Sequence, residues 1–292
     1  MNLSNLVEGE EVQSIPGGRS IAHHTINNHL CQFLSIDIEA GGDIAGIIQL
    51  SAEITQMKLV SMRKKLGCDI VVDCCCCPDT FNKYVQPGCA PAYWAQSSID
   101  VHGILPTDPR ITGPDDIRTV WFQFLVWLSK HTSAAETIFL VAWNGGACDL
   151  KWLWRLTQAP NSQYSWPVNV RYFINPCRVI SKYKSCGLNE TKTKMQGHSL
   201  GVVWSYIHGG QCLENAHDSI VDAKAQTDVL IDARFVPFIN RSNSIQLISE
   251  MFSKTQQNEW RKEMEPCCPV HAPWVDLTHD NTPLQWEPPP MH

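Results

Sequence analysis

Read for the alternation of apolar and polar positions, the chain divides into three parts. Residues 1–29 are polar, carry Pro16, Gly17 and Gly18, and show little periodicity, as expected of a lead-in segment outside the main core. An ordered domain is expected over residues 30–252. It opens on "CQFLSIDIEA", a short apolar run of the kind a central strand carries, and continues across a Gly-Gly turn into "DIAGIIQLSAEITQM", the second arm of an antiparallel hairpin. A third strand is expected between Ile70 and Val85. Residues 113–131 open with Gly-Pro-Asp-Asp and place Trp121, Phe124, Leu125 and Leu128 on one helical face. "TIFLVAW" (137–143) reads as a buried strand, "NGG" as a turn, "ACDLKWLWRL" as a helix and "VNVRYFI" (168–174) as a further strand. "SLGVVWSYIHG" predicts a short helix closed by Gly209 and Gly210, and "DSIVDAKAQTDVLIDARF" a longer one. From 253 to 292 the sequence turns polar and ends "EPPPMH", which predicts an extended tail. A hairpin followed by alternating helix and strand predicts an α/β domain, a mixed sheet of five strands flanked by helices.

One strand of that sheet has an anomaly. In an extended chain residues i and i+2 point to the same face, so Asp37 and Glu39 project together from the expected central strand. Desolvation and mutual repulsion each cost several kcal/mol in such a place, and a divalent cation offsets both directly. Hard cations such as Mg²⁺ take carboxylate oxygens, so further acids are expected nearby. Asp149, in the first turn after "TIFLVAW", and Asp222, near the start of the helix after "ENAH", are where an α/β sheet would deliver them. His217 precedes Asp222 by five residues, which on a continuous helix would put the two on different faces. It is therefore placed just before the helix, with Asp218 as the N-cap and the imidazole free to deprotonate a water.

Composition narrows the class without settling it. The 292 residues are 43% hydrophobic and 18% charged, enough for a real core, and the net charge of −6 argues against a broad polyanion-binding surface while leaving room for a local metal-assisted phosphate site. Thirteen cysteines are an odd number, four of them run consecutively from Cys74 to Cys77, and no signal-peptide pattern opens the sequence. The expectation is a reducing, intracellular setting, nucleus or cytoplasm. No apolar run reaches the ~20 residues a membrane span needs, so no membrane is expected among the partners.

Three stretches in order, "SIDIEA", "VAWNGGACDLKWL" and "HDSIVDAKAQTD", resemble the three motifs of the DEDDh 3′-to-5′ exonucleases, the DnaQ-like group within the ribonuclease H-like fold. "HSLGVVWSYIHG" (198–209) also resembles the stretch that precedes the last motif in TREX-like and proofreading members of this TREX/RNase T-like group, "VHGI" (101–104) resembles the segment before the first long helix, and the likeness spans roughly residues 31–235. It implies that Asp37, Glu39, Asp149 and Asp222 bind two divalent cations, Mg²⁺ or Mn²⁺, that His217 is the general base, and that the partners are DNA or RNA 3′ ends shortened to nucleoside 5′-monophosphates. It also implies that Ala40 and Gly41 lie along the terminal sugar, that Glu39 meets the terminal 3′-hydroxyl, and that Asn144 orders the turn presenting Asp149. The chain departs from the family at "EAGG", where many members have a Thr that bears on sugar discrimination, at Trp143, where His is common, and at Cys148, where an aromatic residue is usual.

Other readings stand beside this one. A structural zinc would need ligands from two segments, Cys68 and Cys74–Cys77 with Cys267, Cys268 and His271, and neither shows paired C-x2-C units. Small-hydrophobe packing is the default for such cysteines. Core packing is likewise the default for Trp121, Trp127, Trp152 and Trp154, whereas Trp94 and Trp143 are open to stacking on a base. The tail, with Trp274 and Trp286, is either a loose end or a dock for a protein partner or adjoining domain. The functional alternatives are a catalytically idle nuclease fold serving as a binding or scaffolding module, and a zinc-dependent interaction module.

Overall fold

The structure is a computed structural model, and it describes residues 30–43, 45–63, 67–71, 78–87, 89–113, 115–133, 136–145, 149–157, 164–182, 198–232, 245–252 and 254–264. Its strands are β1 (Leu30–Ala40), β2 (Ile47–Arg63), β3 (Gly67–Val71), β4 (Asp79–Tyr84), β5 (Thr137–Val141), β6 (Val170–Ile174) and β7 (Ile245–Leu247). The helices are α1 (Gln96–His102), α2 (Pro109–Thr112), α3 (Ile117–His131), α4 (Asp149–Thr157), α5 (Pro176–Lys182), α6 (Leu200–Ile207), α7 (Ser219–Ile231), α8 (Ile248–Met251) and α9 (Lys254–Met264).

β1 lies in the middle of one mixed sheet. It runs antiparallel to β2 and parallel to β5, β5 runs parallel to β6, and β7 closes the far edge antiparallel to β6. The expected architecture, a ribonuclease H-like α/β sheet flanked by helices, is present, but with seven strands instead of five. The region read as one third strand holds two, set end to end along β2: β4 pairs with Gln49–Ile54 and β3 with Lys58–Arg63. β2 is 17 residues long, so it has backbone donors for both. The seventh strand, β7, is three residues long and too short to leave a periodic trace.

Both faces of the sheet are covered, and β1 shows the two sides by alternation. Leu34, Ile36 and Ile38 enter a core with Trp121, Phe124 and Leu125 of α3 and Trp152, Leu153 and Trp154 of α4. Cys31 and Phe33 enter a second core with Leu200 and Val203 of α6 and Ala225, Val229 and Leu230 of α7. Asp37 and Glu39 share the parity of Cys31 and Phe33 and so face α7. α3 begins where Asp116 accepts a hydrogen bond from Thr119 N, within the expected 113–131. Trp121, Trp152 and Trp154 are buried and Trp127 is partly so, as expected of core residues. Among the described residues, no helix is long and apolar enough to cross a membrane.

The tail needs a correction. Residues 254–264 are helical, not extended, because Trp260 gives a largely polar segment an anchor: its ring lies 5.6 Å from Trp154 and 6.0 Å from Phe252 and is buried in the first core. Trp260→Ala is expected to cost roughly 3–5 kcal/mol in a urea unfolding experiment, the range for removing a buried Trp. The remainder of the tail, the 1–29 lead-in, Cys74–Cys77, Cys267, Cys268 and His271 lie outside the described residues, as does the Cys68 side chain.

Candidate active site

The end of β1 outruns β5. Their parallel pairing stops at Ser35 opposite Val141, so the next amides of β1 on that side need other acceptors. Asp149, the first residue of α4, supplies one: its Oδ1 accepts from Ile38 N at 3.0 Å. The turn leading there needs a tight backbone. Asn144 adopts φ 51°, a left-handed conformation that Asn tolerates, and its N–H donates to Asn175 Oδ1. A Cβ on Gly145 would lie 2.8 Å from the Ala142 Cβ. Asn144 thus shapes the turn through its backbone.

From the other side α7 delivers Asp222. Asp218 caps the helix, accepting from Ile220 N, as the sequence spacing predicts. His217 stands one residue earlier in a turn, exposed, with φ 71°, a strained value for a residue with a Cβ. Its backbone N–H donates to Asp222 Oδ2 at 3.2 Å. One side-chain ligand atom each from Glu39, His217 and Asp222 lie within 4.8 Å of one another. Asp37 shares a face with Glu39, so all five sequence-predicted groups meet at one end of the sheet.

Glu39, Asp149 and Asp222 are 9%, 4% and 9% exposed, too little for water to screen them from one another. Burial first, then the charges of Asp149, Glu39, Asp222 and Asp218, hold the Asp37 carboxyl well above the usual carboxylate range. Burial, with Asp222, Asp149 and Asp218 behind it, pushes Glu39 up to about 8. Asp149 is pushed up to about 7 by burial, against the pull of its backbone hydrogen bonds. Asp222 is also raised by burial, partly relieved by the His217 amide. Its Oδ1 is buried with no hydrogen-bond partner. An orphaned carboxylate oxygen among repelling acids is what a divalent cation would satisfy, and a donor set of carboxylate oxygens suits Mg²⁺ or Mn²⁺.

Sequence reasoning missed the residues that hold this cluster in place. Gln226 is fully buried, and its Nε2 donates to Ile36 O at 3.2 Å and to Asp37 Oδ1 at 3.3 Å. Its Oε1 accepts from Trp143 N, so one side chain ties β1, α7 and the turn after β5 together. The signal was available: Gln226 lies one helical turn beyond Asp222 on the same face. Gln49 Nε2 donates to Asp218 Oδ1 at 2.9 Å, and Ser51 and Ser219 share a hydrogen bond at 2.6 Å, fixing α7 over β2. His102, in the "VHGI" stretch, has Nε2 3.3 Å from Ala40 O while its Nδ1 accepts from Ile104 N.

The two tryptophans left open to base stacking have other contacts. Trp94 packs beside Gly41, where an added Cβ would lie 3.0 Å from its ring and 2.8 Å from the Ala45 Cβ, and the Ala95 amide donates to Gly41 O. Trp143 is half-buried against the second core, and its indole N–H donates to His198 O. Cys148 lies outside the described residues.

Fold and site together define a mixed α/β domain with a cluster of four carboxylates, three of them buried, and one adjoining histidine. No family model and no curated protein matches the chain. Among solved structures it is similar to cell-death related nuclease 4, at 18% identity and TM-score 0.46 over 74% of this chain and 66% of that one. It is similar to a 3′-exonuclease solved for 3′-end recognition of the histone mRNA stem-loop, at 14% identity and TM-score 0.45 over 76% and 68%. Exonuclease I shows 15% identity and TM-score 0.45 over 71% and 43%.

Proposed function

We propose that the protein is a two-metal-dependent 3′-to-5′ exonuclease that hydrolyses phosphodiester bonds of DNA or RNA and releases nucleoside 5′-monophosphates. The observation that carries this reading is the convergence of Asp37, Glu39, Asp149 and Asp222 at the end of β1, with the unpartnered Asp222 oxygen beside His217. The four acids would hold the cations, which when bound activate the attacking water and stabilise the leaving 3′-oxygen. His217 is exposed in its turn, and as general base its imidazole takes the proton of that water. The amide of the same residue donates to Asp222, so base and ligand are tied to each other. Glu39 meets the terminal 3′-hydroxyl, while the Ala40–Gly41 backbone, held by His102 and by the Ala95 amide, lies along the terminal sugar. Nucleic-acid 3′ ends are the partners of this site.

The test is a gel assay with 5′-labelled single-stranded DNA and RNA in Mg²⁺, Mn²⁺ or EDTA, with wild type beside His217→Ala. The expected result is a metal-dependent ladder shortening from the 3′ end, slowed on the order of 10²–10⁴-fold in the variant, the usual contribution of a positioned base. The DNA and RNA lanes read the sugar preference that "EAGG" leaves open. No cleavage of either polymer with either metal would turn the assignment to an idle nuclease fold used for binding.

A further inference from the structure

Beside the candidate active site lies a polar cavity of about 210 Å³, lined by Gln49, His102, Arg110, Asn215, His217 and Asp218 among others. Arg110 is the one permanently charged cation of that lining. Its guanidinium is held rather than loose. Nε donates to Asp108 Oδ1 at 3.0 Å, Nη2 to Asp108 Oδ2 at 2.7 Å and Nη1 to Tyr84 Oη at 2.9 Å, while its central carbon sits 5.0 Å from the Tyr84 ring centroid. Three of the five guanidinium N–H bonds are thereby engaged and two remain, on a side chain 47% exposed. His102 adds no charge, because its Nδ1 accepts from Ile104 N and its proton sits on Nε2. As for Arg110, Its hydrogen-bond partners, Asp108 and Tyr84, are not members of the four-acid cluster.

A rigid guanidinium with two free donors, lining the same cavity as the proposed base, matches a phosphate oxygen pair. Resting on the exonuclease reading, we infer that Arg110 binds an uncleaved phosphodiester of a single-stranded substrate, with Asp108 and Tyr84 as the residues that position it. The scissile phosphate belongs to the carboxylate cluster, so Arg110 governs grip on the strand and leaves the chemistry to that cluster. A net charge of −6 makes such a local cation more telling, since the surface at large does not favour a polyanion.

The test measures binding apart from turnover. Fluorescein-labelled single-stranded DNA and RNA are titrated by anisotropy in Ca²⁺ across a salt series, for wild type, Arg110→Met and Tyr84→Phe, alongside hydrolysis in Mg²⁺ of the same strands and of the p-nitrophenyl ester of thymidine 5′-monophosphate. For Arg110→Met the expected result is binding at least about tenfold weaker, with a log–log salt slope shallower by about 0.7, the loss of one phosphate contact on a single strand. KM for the strands rises while kcat holds, and the small ester, which has no second phosphodiester, is cleaved as by wild type. Tyr84→Phe falls between the two. Unchanged binding and slope, or equal losses on strand and ester, overturns the proposal. If wild type binds strands but cleaves nothing, and Arg110→Met still weakens binding with the shallower slope, the contact stands and the exonuclease reading falls. If wild type does not bind, both fall.

Discussion

Asp222→Asn is expected to lower hydrolysis at least about 10³-fold and at the same time to raise the melting temperature of the metal-free protein at pH 8. The first effect follows from the place of Asp222 in the proposed ligand set: losing roughly 4 kcal/mol of charge stabilisation in the transition state is a thousandfold in rate. The second follows from what the carboxylate does without a cation. Asp222 is the one acid that raises each of the other three, Asp37, Glu39 and Asp149. Asparagine has nearly the same volume, keeps an oxygen for the His217 amide, and puts an N–H where Oδ1 now lacks a partner. Each kcal/mol relieved is worth roughly 2–4 °C in a domain of this size. Differential scanning fluorimetry in EDTA beside the gel assay reads both effects. An inactive variant that melts lower would mean that Asp222 holds the fold and that its loss of activity says nothing about metal.

The parts of this site that the sequence exposes are those with a strict local geometry. Asp37 and Glu39 sit two apart in a strand and must share a face, and Asp218 must cap a helix that starts after it, so His217 falls just outside. These need only the period of the element. Gln226, Gln49 and His102 were harder, because each acts on a segment far away in the chain: Gln226 on Ile36 and Asp37, Gln49 on Asp218, His102 on Ala40. A buried glutamine inside an amphipathic pattern reads as one polar position among several until the sheet register shows what lies opposite. The fold divides in the same way. β1, β2, β5, β6, α3, α4, α6 and α7 carry runs or faces long enough to declare themselves. β7, α2 and α8 have three or four residues each, and α9 is polar but for its terminal Met264 and Trp260, the residue that docks it.

The acids also set how stability should vary with pH and metal. Glu39 is pushed up to about 8 and Asp149 to about 7, against values near 4 in an unfolded chain, so over that interval the folded state holds protons that the unfolded state has released. The slope of unfolding free energy with pH takes the sign of protons bound unfolded minus folded, which is negative here, so metal-free stability falls as pH rises from 6.5 to 8.5. The limit is about 1.4 kcal/mol per pH unit for each group, and the coupled acids share it as a cluster. Groups held below their usual range act elsewhere: the carboxyls of Asp43, Asp79 and Asp108 matter only in acid, and His102, lowered by burial, favours the folded state as pH rises through 6.5 and is spent above it. Half-buried Cys89 and Cys177 act above about 9. Mn²⁺ must displace the cluster's protons to bind, so the rise in melting temperature between EDTA and Mn²⁺ is expected to be small at pH 6.5 and several degrees larger at pH 8.5. Subtracting the EDTA curve removes the contributions of His102, Cys89 and Cys177, which are not among the proposed ligands. Asp222→Asn should flatten the EDTA curve and shrink the Mn²⁺ increment together. A metal increment independent of pH, or a metal-free protein that gains stability from pH 6.5 to 8.5, would mean that the four carboxyls are not the cation's ligands.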